Sequence, residues 1–470
     1  MDEAWKRAVL NKVSWRLIPF LFLLYVVNIL DRVNVSFARL RMLEDLHMSE
    51  GAYAFGFGLF YIGYLLFEVP SNLILSRVGA RRWIARIMMS WGLITCAMIL
   101  IRGPWAFYLL RVLLGFAEAG FFPGIILYLT YWFPARQRAG VVALFMAASP
   151  LTGVIGNPVS GAIMEWMDSV GGLSGWQWVF LLEGIPAVLL GVVVLFYLPD
   201  RPRTASWLKP EERDWLTEQT GGEVNRFQRP SRALVGVLAD GRVWLLILLY
   251  FTVAAGANAF GSYLPKLMAD RAPQLNKVQL GLLCALPNLC AVVCMVVNGT
   301  HSDRTGERRW HVAGPAFLSA VGWSLAALTF TPWLDSPLLT LAALALVQSG
   351  TMSMLPTFWT LPTAFLRGVA AAGGIALINS VGNLGGFAGP NVVGQLKEHT
   401  GSFAPGLLAL AVAMCLGGVL ALCVRHEPPE ESKADASPSP KEEGIIPAPA
   451  DSIARPSEQT LPRDNGRLAL

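Results

Sequence analysis

Twelve apolar stretches of membrane-spanning length fix the class of fold open to this chain. They run roughly over Leu17 to Phe37, Ala52 to Leu75, Trp83 to Ile101, Phe107 to Leu129, Gly140 to Met164 and Phe180 to Leu198. After a gap come roughly Trp244 to Leu267, Leu280 to Val297, Val312 to Phe330, Leu338 to Leu361, Ala370 to Leu396 and Ala404 to Val424. A bilayer takes about 20 residues of helix, and backbone groups inside it find no water, so each stretch must satisfy its own hydrogen bonds as a helix. With 54% hydrophobic and 15% charged residues and a mean hydropathy of +0.49, a soluble globular chain is excluded. An all-α protein embedded in a lipid bilayer is expected.

Charge and cysteine usage exclude further classes. The net charge of +5 comes without a basic cluster interleaved with exposed aromatics, so no nucleic-acid partner is expected. Cys96, Cys284, Cys290, Cys294, Cys415 and Cys423 fall inside apolar stretches and behave as small hydrophobes. Cys290 and Cys294 share a helix face, but no His or third Cys joins them as zinc would need. Neither metal nor cofactor is expected. Lys6, Arg7 and Lys12 precede the first apolar run as in a signal peptide, yet no small-residue cleavage site follows, so the segment reads as a retained first span.

Orientation follows from the basic residues. Arg77, Arg81, Arg82 and Arg86 follow the second stretch, Arg136 and Arg138 the fourth, and Arg304, Arg308 and Arg309 the eighth. The alternate connections hold only Arg39, Arg41, Arg102, Lys266, Arg271, Lys277 and Lys397. Positive charge stays on the cytoplasmic side, so both termini are expected there, in a multi-pass protein of the inner or plasma membrane. Residues 1–198 and 244–425 are expected as two six-helix bundles, and 199–243, charged and carrying Pro202, Pro210 and Pro230, as a cytoplasmic linker. Residues 426–470, rich in Pro, Ser, Glu and Lys, are expected as a disordered cytoplasmic tail.

The halves repeat one another. Arg77-Val78-Gly79-Ala80-Arg81-Arg82 recurs as Arg304-Thr305-Gly306-Glu307-Arg308-Arg309. Gly153, Gly156 and Gly161 with Pro158 match Gly386, Gly389 and Gly394 with Pro390 at nearly the same offset. Such a six-span repeat is the signature of a transporter that works by alternating access, with its site between pseudo-symmetric halves.

Span one is too short if it stops before Asp31, so the helix runs on and carries Asp31 and Arg32 into the hydrocarbon depth. Charge placed there costs at least about 2.5 kcal/mol and usually faces a cavity. Asn28, Asp31 and Arg32 fall on one arc at i, i+3 and i+4. Arg32 is suited to bind a carboxylate, because its planar fork donates two parallel hydrogen bonds. Asp31 suits a proton carrier. Arg111 and Glu118 lie seven residues apart on span four, about 10.5 Å along one helix face. A glycine-rich apolar surround would desolvate Glu118, which suits a group that gains and loses a proton. The alternative is a standing ion pair, Arg111 to Asp31 or Glu118 to Arg32. In the second half, Trp359 between Pro356 and Pro362 sits where a broken helix exposes side chains to a cavity. Asn379 and Asn383 share a face and can hydrogen-bond carboxyl or hydroxyl oxygens. Glu68, before Pro70, is placed to meet an arginine such as Arg77 as a gate.

Gly299-Thr300-His301-Ser302-Asp303-Arg304-Thr305-Gly306-Glu307-Arg308-Arg309 resembles the signature loop of the major facilitator superfamily. The first-half copy departs, with Ser76 at the acidic position and Asn72 at the leading glycine. Asp31-Arg32-Val33-Asn34, Glu68-Val69-Pro70-Ser71-Asn72 and Gly115-Phe116-Ala117-Glu118-Ala119-Gly120 resemble more narrowly the anion:cation symporter branch. That resemblance implies uptake of an organic acid, such as a sugar acid, a tartrate-like diacid or an aromatic acid, together with protons by a monomer. The residues themselves point to proton coupling at Asp31, Glu118 and Arg111 and to substrate contacts from Arg32, Asn28, Asn34, Trp359, Asn379 and Asn383, and the resemblance adds Tyr64 to that site. It also implies gating by Glu68, Arg77, Arg81, Asp303, Arg304 and Arg308. Proton-driven efflux and a membrane sensor of organic anions are the rival readings. No Gly-x-x-x-x-Gly-Lys loop for ATP and no catalytic triad is present, so an enzyme is not expected.

Overall fold

A computed structural model describes residues 2–224, 237–332, 334–366 and 368–424. The expected tail therefore lies outside the described residues. All regular structure among them is helical. The first half contains α1 (Glu3–Asp45), α2 (Glu50–Val78), α3 (Ala80–Ala97), α4 (Pro104–Glu118), α5 (Phe121–Thr130), α6 (Ala135–Trp166) and α7 (Gly175–Tyr197). Within the expected linker, α8 (Pro210–Val224) forms. The second half contains α9 (Gly241–Arg271), α10 (Lys277–Thr305), α11 (Trp310–Leu328), α12 (Pro337–Phe358), α13 (Thr360–Phe365), α14 (Gly368–Gly382), α15 (Gly385–Thr400) and α16 (Ala404–Cys423). Ten helical segments among the described residues are long and apolar enough to span a membrane. The other two expected spans coincide with α6 and with α14 followed by α15.

Three expected spans are broken, one of them at Trp359 between α12 and α13. Between α4 and α5, Ala119 is extended and Gly120 adopts φ 85°, a left-handed conformation that costs glycine little. Pro123 causes the break, since it offers no N–H to the Ala119 carbonyl and its ring crowds that carbonyl. Glu118 thus ends its helix. Between α14 and α15 the chain turns at Asn383 and Leu384 beside three glycines, held by a tight Gly386 N–H bond to the Asn383 carbonyl at 2.8 Å. The repeated loop also has a backbone reason. Gly79 and Gly306, equivalent in the two copies, both take positive φ, 96° and 69°, to turn one helix into the next.

The helices pack closely through small residues. α3 lies on α7, α2 on α4 and α15, α6 on α10, and α1 on α6, α7 and α9. At Gly115 an added Cβ would sit 2.2 Å from the Phe60 carbonyl and 2.9 Å from the Tyr64 nitrogen, so α4 meets α2 backbone to backbone. Gly115→Ala is therefore expected to lower the thermal midpoint of the purified protein, because such overpacking costs about 1–3 kcal/mol and backbone atoms cannot swing aside. Gly103→Ala, with open space around it, is the control expected to leave the midpoint unchanged.

Several hydrogen bonds join the halves at the end that carries the α1–α2 connection. Glu398 of α15 accepts from Gly51 N–H at 2.7 Å and from Ser49 Oγ at 2.9 Å, which places a carboxylate at the amino end of α2. Ser262 Oγ donates to Tyr53 Oη at 3.3 Å, and Lys277 N–H donates to Glu165 at 3.0 Å. Arg39 pairs with Glu50 and lies between the rings of Tyr53 and Tyr263, 4.7 and 4.2 Å from their centroids.

Candidate functional site

The arc expected on α1 meets the end of α4. Glu118 accepts from Asn28 Nδ2 at 2.6 Å and forms an ion pair with Arg32 through the guanidinium Nε and Nη2. The two partners differ in access. The Arg32 side chain is 35% exposed and that of Glu118 only 1%. Glu118 Oε2 is buried with no hydrogen-bond partner. A partly exposed cation is thus held by a carboxylate that is almost wholly buried.

Asp31 is buried beside this pair and is held by neutral donors, Thr95 Oγ1 at 2.8 Å and Asn34 Nδ2 at 3.0 Å. Asn34, expected among the substrate contacts, here steadies Asp31. Arg111 is buried, donates from Nη2 to the Phe57 carbonyl at 3.0 Å, and leaves Nε without a partner. Of the two standing ion pairs weighed from the sequence, the one between Glu118 and Arg32 forms. Both guanidinium groups face the Phe60 ring, Arg32 at 5.3 Å and Arg111 at 4.9 Å from its centroid. Tyr64 also lies under Arg32, at 5.5 Å. Aromatic faces stabilise these cations without neutralising them.

The second half supplies aromatic and amide groups. Trp359 falls in the break between α12 and α13, half-buried against Tyr250 and Phe358 with ring centroids 5.0 and 5.1 Å away. Asn379 Nδ2 donates to Glu68 Oε1 at 3.1 Å, and the adjacent Ser380 hydroxyl donates to Glu68 Oε2 at 2.5 Å. Glu68 is buried, so this contact ties α2 to α14 between neutral donors and a carboxylate, where an arginine was expected as partner. Asn383 is half-buried one turn beyond Asn379, and Tyr61 of α2 donates to Asn258 of α9.

The remaining expected gate residues lie at helix ends. The Arg81 N–H donates to Asp200 Oδ1 at 2.9 Å and its side chain stands 3.7 Å from the same carboxylate. Arg308 pairs with Asp303 at 2.6 Å and donates to Ser302 Oγ at 2.9 Å, while Arg77 and Arg304 are exposed. Glu307 closes this loop. Burial alone would raise its carboxyl group, but the Trp310 N–H and the His311 contacts outweigh burial and hold it below the usual carboxylate range.

Several buried polar groups were passed over in the sequence. Thr95 binds Asp31, and Glu183 of α7 takes a hydrogen bond from Ser160 of α6 at 2.7 Å. An acid inside the Phe180 to Leu198 stretch carries the same signal that marked Asp31 and Glu118.

Membrane-spanning helices in two repeated halves, some of them broken, with a buried Glu118 paired to a partly exposed Arg32, are the architecture of a multi-pass membrane transporter. The Major Facilitator Superfamily model matches residues 21–390, and the chain belongs to that family. A protein of Agrobacterium vitis, provisionally named a tartrate transporter, is 50% identical over 82% of this chain and 87% of its own length. This relative matches the organic-acid branch that the motifs resemble. A quinolone resistance transporter of Acinetobacter baumannii is 42% identical over 80% of this chain and 86% of its own. The crystal structure of a D-xylose-proton symporter superposes with a TM-score of 0.70 over 87% of this chain and 97% of that one; at 16% identity it shows the shared fold, with two pseudo-symmetric six-helix bundles.

Proposed function

We propose that this chain imports a small organic dicarboxylate such as tartrate together with protons, by alternating access between two bundles, residues 1–198 and 244–425. In this reading the protein is a monomer of the inner membrane with both termini, the linker 199–243 and the tail 426–470 in the cytoplasm, and it performs no enzymatic reaction. The observation that carries the reading is the ion pair between accessible Arg32 and inaccessible Glu118. The tartrate transporter relative supplies the substrate class.

Proton and anion load together for an electrostatic reason. While Glu118 is ionised it occupies the Arg32 fork and repels an incoming carboxylate. Protonating Glu118 frees the fork, and by linkage a bound anion raises the proton affinity of Glu118. Asp31, held by Thr95 and Asn34, is the second negative group of this cavity and takes part in the same exchange. Arg111 fixes the local potential from the far side of Phe60. Tyr64, Trp359, Asn379 and Asn383 line the substrate path, and Asn28 and Asn34 orient the two acids. The contacts at the α1–α2 end correspond to a closed outer gate. Glu68 with Asn379 and Ser380, which meet in this structure, Arg81 with Asp200, and Arg77, Asp303, Arg304 and Arg308 form the inner gates.

The reading is tested with the purified protein in proteoliposomes. Adding tartrate outside is expected to alkalinise the external medium as tartrate enters; entry with no pH change removes the proton coupling. Export by proton antiport is the second reading, favoured by the similarity to the quinolone resistance transporter. It predicts quinolone efflux driven by an inward proton gradient and no external alkalinisation on adding tartrate.

A further inference from the structure

The end that carries the α1–α2 connection holds a cavity of about 300 Å³ that the transport cycle above does not use. Its walls come from both halves: Arg39 and Glu44 of α1, Ser49 and Glu50 at the start of α2, and Lys266 of α9. Arg39 is 1% exposed and lies between the rings of Tyr53 and Tyr263. Its Nη2 pairs with Glu50, while Nε and Nη1 have no hydrogen-bond partner. The two rings attract its charge, but the N–H bonds on those two nitrogens lack an oxygen acceptor. A buried donor left in that condition costs about 1–3 kcal/mol.

The acids around the cavity are engaged on their own side of the molecule. Glu50 holds Arg39, and Glu44 stands 3.6 Å from Arg41, both within the first half. Lys266 pairs with Asp270 at 2.8 Å, one turn along α9 in the second half. That contact uses one of the N–H bonds of the ammonium group and leaves the others. The Ser49 hydroxyl donates to Glu398 and accepts the Ala52 N–H, so it is spent as well. Among the described residues, no acid bridges Arg39 to Lys266. The cavity therefore presents a surplus of charged donors from opposite halves, and the complement of such a wall is a ligand with a carboxylate at each end.

We propose that this cavity is a second anion site, which takes a dicarboxylate with one carboxylate on the free N–H bonds of Arg39 and the other on Lys266. A ligand held in this way ties α1 to α9. It adds to the contacts that already join the halves here, the Ser262–Tyr53 bond and the Glu398 carboxylate on Gly51 N–H. The cavity is present with these contacts made, so a ligand in it favours the conformation closed at this end. A high concentration of the acid on that side then slows its own transport, by holding the carrier closed rather than by competing at Arg32.

The choice of a dicarboxylate rests on the tartrate reading above, and the experiment separates the two. Lys266 is the residue to change, because it and Asp270 are both partly exposed and its loss leaves no buried charge unpaired. Equilibrium dialysis of labelled tartrate against the detergent-purified chains is expected to give two sites in wild type, two in Lys209→Gln, a lysine outside the cavity, and one in Lys266→Gln. Fewer than two sites in wild type, or two in Lys266→Gln, overturns the inference. Arg32→Lys is expected to weaken the other site; if it leaves both unchanged, the transport reading fails while the second site is still judged on Lys266→Gln. Acetate at the concentration of tartrate is expected to leave the second site filled, since it cannot reach both cations, and displacement by acetate overturns the bridging assignment. In proteoliposomes, wild-type uptake is expected to fall at tartrate concentrations that fill the second site, and uptake by Lys266→Gln to level off. A wild-type curve that levels off as well overturns the closing effect.

Discussion

Arg32→Lys is expected to raise the dissociation constant for tartrate about 30-fold. The guanidinium offers a carboxylate two parallel charge-assisted bonds, and an ammonium offers a point charge on a different reach. Losing one such bond in a partly dry site costs about 2 kcal/mol, and 1.4 kcal/mol is a factor of ten. The variant keeps its positive charge beside Glu118, so the change isolates geometry from charge. Equilibrium binding of labelled tartrate to the purified protein measures it, and an affinity equal to wild type would show that the anion is held elsewhere.

Glu118→Gln separates movement from coupling. The amide still accepts from Asn28 and can no longer be ionised, so Arg32 stays released and the cavity accepts an anion at any pH. Exchange of labelled tartrate across the membrane is expected to persist. Accumulation driven by a pH gradient is expected to fall by about tenfold per pH unit of gradient, since one coupled proton contributes 1.36 kcal/mol per unit. Accumulation equal to wild type would take Glu118 off the proton path. Glu118 is well placed to have so large an effect because its helix ends with it, and the reversal at Gly120 fixes its backbone.

The helix count, the repeat and the polar arc on α1 were legible in the sequence because each depends on local spacing. An apolar run of spanning length announces a helix whatever surrounds it, and i, i+3 and i+4 place Asn28, Asp31 and Arg32 on one face in any helix. The separation of Arg111 and Glu118 was legible for the same reason. What followed Glu118 was less so, since the break needed Gly120 and Pro123 to be read together as a stop within an apolar run. Partners across helices were hidden altogether. Nothing in the spacing says that Asn379 and Ser380 reach Glu68, or that Glu398 reaches the amino end of α2 from 347 positions away. Those pairings depend on which helices become neighbours, and that is decided by small residues such as Gly115 and Gly161 whose signal is shape rather than charge. Glu183, an acid inside an apolar run, carries the same local signal as Asp31 and Glu118.

α8 docks on the first half, where Lys12 of α1 pairs with its Glu212 at 2.8 Å, and this docking has an optical consequence. Trp215 of that helix meets Trp5 of α1 edge-on at 5.5 Å, and Trp207 just before it stacks on Trp132 at 5.8 Å. Two indole pairs at such range couple their excited states, and each pair has one member on the linker and one on the first half. Both pairs depend on the linker staying seated, so indole fluorescence reports its docking without any attached dye.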